Sequence, residues 1–213
     1  MPERTHADAQ DVNPEAGHHA VTGDPRERDA AEAATRRSWR AFPYYPRRYG
    51  ERGWRFSLSD SGWIATLCDL PPAAGVAQVE WLGGVLAARG MPRYLLERHL
   101  GFLHEELRCR VPDEGRRYDV VRAAADALAT ARRRVLADDA FAAHADAFDA
   151  RTAALRDAVP RAGAVVVAAV ADERGGDATV VARVTEWLCD PARFDQAWID
   201  AAQDTVAAVR GAP

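Results

Sequence analysis

Residues 75–108 read GVAQVEWLGGVLAARGMPRYLLERHLGFLHEELR. Val76, Val79, Leu82, Val85 and Leu86 recur every three to four residues, the period of one helix face. Arg89-Gly90 ends the run, with Gly90 just past the helix end, where left-handed backbone is common. Met91-Pro92 opens a second helix to about Arg108, patterned by Leu95, Leu96, His99, Leu100, Leu103, His104 and Leu107. The turn between them is very short, so the pair forms an antiparallel hairpin or a bent corner. With the helices expected on either side and no credible sheet, the pair points to an all-α chain.

The flanking segments extend that reading. Asp24-Pro25 is a cap followed by proline in the first turn, and predicts a helix to about Ala41. Residues 42–58, FPYYPRRYGERGWRFSL, carry two prolines and two glycines and read as an ordered loop packed over helices. Ser59 or Asp60 caps a further helix up to Pro71-Pro72. Alanine-rich helices follow over about 116–137 and 138–158. The valine run in 163–171, GAVVVAAVA, suits a strand or a short buried helix. With no second convincing strand to pair with it, helix is favoured. Helices at about 178–188 and 191–209 close the chain, the last opened by Asp190-Pro191. The expectation is a single domain of seven to eight helices over residues 24–213, an irregular bundle or globin-like packing. Residues 1–23 are polar and acidic and are expected to form a disordered tail.

Composition sets limits on chemistry. The chain has 213 residues and a formal net charge of −4. All 28 of its basic residues are arginine, which excludes lysine Schiff bases and Walker-type phosphate lysines. Cys68, Cys109 and Cys189 are odd in number and widely spaced, so no CxxC motif exists and free thiols in a cytoplasmic, reducing compartment are expected. The chain shows no signal-peptide pattern, and its longest apolar run is too short to cross a bilayer. GxSxG, GxGxxG, P-loop, HExxH and zinc-finger spacings are all absent.

The net charge conceals an uneven distribution. Residues 1–34 hold eight acids and three arginines, whereas residues 36–55 hold seven arginines and the single acid Glu51. Within the basic stretch Arg47, Arg48, Arg52 and Arg55 alternate with Tyr45, Tyr49 and Trp54. Guanidinium forks suit carboxylates and phosphates, and aromatic faces stack on guanidinium planes or organic rings. These seven residues are the candidate surface for a small anionic or aromatic ligand, for a protein partner, or for the acidic tail itself. The structural alternative is that the arginines pair with Asp60, Asp69, Glu80 or Glu97 and staple the loop down.

The second candidate is the histidine-bearing helix. His99 and His104 stand about 140° apart around a helix, so they do not share a metal as an i,i+4 pair does. His99, set among leucines, suits an axial haem ligand; a metal site at His104 needs ligands from other helices. The other reading of His99 is a core-edge residue hydrogen-bonded to a neighbouring helix. Three functions follow: a noncatalytic ligand-binding or protein-interaction protein, a helical haem or metal protein, and a small DNA-binding regulator. Net acidity disfavours the last. An alanine-rich helix face also admits a homodimer.

Overall fold

A computed structural model describes residues 5–212. Ten α-helices occupy most of them: α1 (Ala9–Val12), α2 (Pro25–Ala41), α3 (Tyr44–Thr66), α4 (Pro72–Ala87), α5 (Arg93–Arg110), α6 (Asp119–Val135), α7 (Asp138–Thr152), α8 (Ala162–Arg174), α9 (Val180–Leu188) and α10 (Gln196–Arg210). Two 3-10 helices span Leu67–Asp69 and Pro112–Tyr118. The all-α expectation holds, and the helix count exceeds the expected seven to eight.

Three segments depart from the sequence reading. Residues 5–23 are ordered, while the part of the expected disordered tail in residues 1–4 lies outside the described residues. Strands β1 (His6–Asp8) and β2 (Ala20–Thr22) pair antiparallel, with His6 opposite Thr22 and Asp8 opposite Ala20. Asp8 accepts from the Gln10 amide, and a capping box with Asp11 starts α1. Buried Ala9, Ala16 and Val21 then pack with Val12 and Trp63, so small residues provide the anchorage that the composition seemed to lack.

The second departure is the expected loop at 42–58, which is helical from Tyr44. Pro46 falls in the first turn, where a missing N–H costs nothing. The helix is interrupted at Gly50, whose φ of 53° and ψ of −156° form a conformation open almost only to glycine. Third, Asp195 rather than Asp190 caps the last helix, accepting from the Trp198 amide at 2.9 Å; Asp190 instead closes a turn through the Ala192 amide.

The chain divides into two compact units. The first comprises residues 1–41, 45–80 and 97–127; the second comprises 42–44, 81–96 and 128–213. Because α4, α5 and α6 each supply residues to both, no linker marks the division in the sequence. In the first unit Ala30, Ala34, Ile64, Leu100, Leu103, Leu107 and Tyr118 are fully or almost fully buried.

The second unit is built around α8. Every residue from Ala162 to Ala171 is buried, so the valine run is a helix apolar on all sides, packed against α7, α9 and α10. Trp198 on α10 stacks on Phe194 at 5.0 Å, meets Phe148 edge-on and donates its indole N–H to the Leu188 carbonyl. Gly163 allows α8 to approach α7. A methyl group there would stand 2.2 Å from the Ala145 carbonyl oxygen, with the Ala145 carbonyl carbon also within 3 Å. Gly163→Ala is therefore expected to destabilise by about 1–3 kcal/mol, despite the roughly 1 kcal/mol that alanine gains in helix propensity. Chemical denaturation would measure it. A neutral or stabilising result would mean that the two helices separate without cost.

Candidate functional site

The arginine–aromatic residues lie on α3 in the first unit, on either side of the Gly50 break. Tyr45 is buried and stacks on Trp39 of α2 at 5.9 Å, nearly parallel. Trp54 meets the same Trp39 edge-on at 5.2 Å. Burial, and to a lesser degree the nearby Tyr49, pushes the Tyr45 phenol far above its ordinary pKa. Tyr45 thus serves as a platform under the helix rather than as an open wall, with the half-buried Trp54 beside it. On the surface, the Arg48 guanidinium lies over the Tyr49 ring at 5.3 Å and the Arg52 guanidinium over Phe56 at 4.9 Å. Such cation–π contacts restrain long side chains before any ligand arrives. Arg47 is exposed on the first turn of the helix.

Arg52 and Arg55 already hold an anion from the chain itself. The Arg52 Nε donates to one Glu15 oxygen at 2.7 Å, and Arg55 Nη2 donates to the other at 2.8 Å. These two hydrogen bonds keep the Glu15 carboxyl below the usual carboxylate range. Asp69, named above as a partner for these arginines, accepts paired bonds of 2.8 and 2.9 Å from Arg117. The pairing with the acidic N-terminal segment is the alternative realised for Arg52 and Arg55.

His99 is buried between two helices. Its Nδ1 lies 2.9 Å from Ser38 Oγ of α2, and its Nε2 lies 2.9 Å from Ser61 Oγ of α3. The Ser61 hydroxyl proton goes to the Ser57 carbonyl at 2.6 Å, so Ser61 can only accept from His99. Nε2 therefore carries a proton, and in the neutral ring that burial favours, Ser38 donates to Nδ1. Burial lowers the His99 pKa to about 4. Both nitrogens are engaged, so axial ligation of a haem would require breaking one of these bonds.

His104 sits a turn further on. Burial lowers its pKa, with nearby Arg108 contributing, and its Nε2 is 3.9 Å from Asp119 without a hydrogen bond. Among the described residues, no group of three or more His, Cys, Asp or Glu side chains is placed to hold a metal ion.

One polar cluster escaped the sequence reading. Glu27 in the first turn of α2 is 1% exposed. It accepts from Thr22, from Arg117 and from the Tyr118 hydroxyl, the last at 2.7 Å. Arg117 also bonds Asp69, the Tyr118 oxygen and the Ala65 carbonyl, so all five guanidinium N–H groups have acceptors. Burial pushes the Tyr118 phenol pKa up, and the Glu27 carboxylate adds to the effect. The cluster borders a cleft of about 1060 Å³ that is also lined by His6, Arg26, Asp113 and Arg116. Its parts come from opposite ends of the first unit's sequence, and no local motif announces them.

Among the described residues, no helix is long and apolar enough to cross a membrane. Among the described residues, Cys68, Cys109 and Cys189 form no disulfide. Trp81 on α4 is 62% exposed. Comparison with protein-family models, with characterised proteins and with solved structures finds no match to this chain.

Proposed function

We propose that this chain is a noncatalytic helical binding protein, acting in the cytoplasm, whose arginine–aromatic face on α3 recognises anionic groups. The observation that carries the reading is the Glu15 carboxylate shared between Arg52 and Arg55. Two guanidinium groups restrained on one helix, one of them over an aromatic face, bind a carboxylate with charge-assisted hydrogen bonds. A partner carboxylate or a phosphate oxygen presents the same acceptor geometry. Tyr49 and Phe56 supply flat apolar surface beside these charges.

The test is binding of two anionic probes, a labelled hexaglutamate peptide and inorganic phosphate, to the full chain and to the Arg52→Gln/Arg55→Gln variant. The wild-type chain is expected to bind at least one probe, more weakly as salt rises. The double variant, folded as judged by its helical circular dichroism, should lose about tenfold or more in affinity. Unchanged binding in a folded double variant would remove this face from consideration.

A further inference from the structure

We infer that the Arg52–Arg55 face is the seat of an acidic polypeptide segment of a partner protein, and that the Glu15 turn is an internal occupant which this segment displaces. The inference rests on the anion-binding reading above and specifies its partner. Three observations carry it.

First, the group now on the arginines is a polypeptide carboxylate presented from a tight turn. The Asn13 side chain accepts from the Glu15 amide at 3.2 Å, and the Asn13 carbonyl accepts from the Ala16 amide at 2.8 Å. A carboxylate held in this way shows that backbone can approach the face closely enough for both arginines to reach one residue.

Second, the ion pairs that seat the occupant on this face are weak, the turn itself being held by the Gln10 side chain, which donates to the Ala16 carbonyl at 3.0 Å. The ion pairs are exposed, with Glu15 at 42% and Arg52 at 66% side-chain exposure, where each pair contributes little. The apolar anchorage of the segment consists of two alanines and a valine against Trp63, with Ala7 and Val12 partly buried beside them.

Third, the seated turn carries an unmet cost. Asn13 is fully buried, and among the described residues its Nδ2 donor has no protein hydrogen-bond partner. Releasing the turn returns that donor to water and recovers its desolvation penalty. A segment with several carboxylates spaced along the helix would gain the arginine contacts without this cost.

The deciding experiment is a titration of labelled hexaglutamate into the full chain, read by fluorescence anisotropy. Four proteins are compared: wild type, Glu15→Gln, Arg52→Gln/Arg55→Gln, and Asp126→Asn, which removes one exposed acid paired with Arg122 and so controls for net charge. Glu15→Gln is expected to bind about threefold to tenfold more tightly than wild type, the gain from vacating two exposed ion pairs. Asp126→Asn should match wild type. If Glu15→Gln and wild type bind equally while the double arginine variant loses binding, the anion-binding face stands and the internal-occupant inference is overturned. Equal tightening in Glu15→Gln and Asp126→Asn also overturns it, because net charge then explains the gain. If the double arginine variant binds as wild type does, the underlying reading fails. If inorganic phosphate binds and hexaglutamate does not, the face takes small anions and the polypeptide partner is overturned.

Discussion

Glu27→Ala is expected to lower the free energy of unfolding by about 3–5 kcal/mol, the range for removing one member of a buried ion pair. The carboxylate is the shared acceptor for Thr22, Arg117 and Tyr118. Its loss leaves the guanidinium, which is 12% exposed, with a buried charge only partly compensated by Asp69. It also strips the Tyr118 hydroxyl, itself fully buried, of its acceptor. Glu27→Gln should cost less, because an amide oxygen still accepts from Tyr118 and the charge on Arg117 keeps its Asp69 partner. Urea unfolding of the three proteins would establish the order. A loss below about 1 kcal/mol for the alanine variant would show that water enters the cleft and solvates Arg117 in place of the carboxylate.

The second large effect is a dependence of stability on pH set by His99. Its pKa falls from 6.5 to about 4 on folding, because burial penalises the imidazolium. Between those values the unfolded chain takes up a proton that the folded chain refuses. Stability therefore falls as pH drops from about 6.5 towards 4, by about 3 kcal/mol for this one group, and the full contribution is present above pH 6.5. The geometry agrees with the sign. Protonation would place a hydrogen on Nδ1, facing the Ser38 oxygen that now donates to it. His99→Gln retains one donor and one acceptor but does not titrate. The difference in unfolding free energy between wild type and His99→Gln, measured from pH 7.5 to 4.5, should narrow or reverse in favour of the variant as pH falls. A constant difference would place the His99 pKa in the folded protein near its ordinary value.

The helices themselves were legible because their signals are local. The 3–4 residue spacing of leucines and valines in 75–108 and the stop at Arg89-Gly90 specify α4 and α5 without reference to distant residues. Pro25 likewise marks the start of α2. The valine run at 163–171 reads as helix for want of a pairing strand, and α8 is that helix. Nothing in the sequence marks a role for Gly163 within it. Its purpose appears only when the Ala145 carbonyl lies against it.

The candidate site divides in the same way. The clustering of arginines with aromatics on residues 45–55 is visible in sequence, as is the adjacent acidic segment. The conformation of that stretch is not legible there, because its prolines and glycines read as a loop. Pro46 sits where a helix tolerates proline, and one glycine, Gly50, absorbs the break. His99 stood out as a polar residue on a leucine face, but nothing local identifies Ser38 and Ser61 as its partners. Glu27 was one acid among eight in the first 34 residues.

By itself the sequence determined that this is a helical protein with no lysine chemistry and a basic, aromatic segment beside an acidic one. Helix period, caps and charge composition act over a few residues, so they survive in a one-dimensional reading. Tertiary structure alone decided which charges are buried, which arginines hold Glu15 and which tautomer His99 adopts. Those outcomes depend on pairings between residues 37 to 91 positions apart, set by how helices pack and which groups they shield from water.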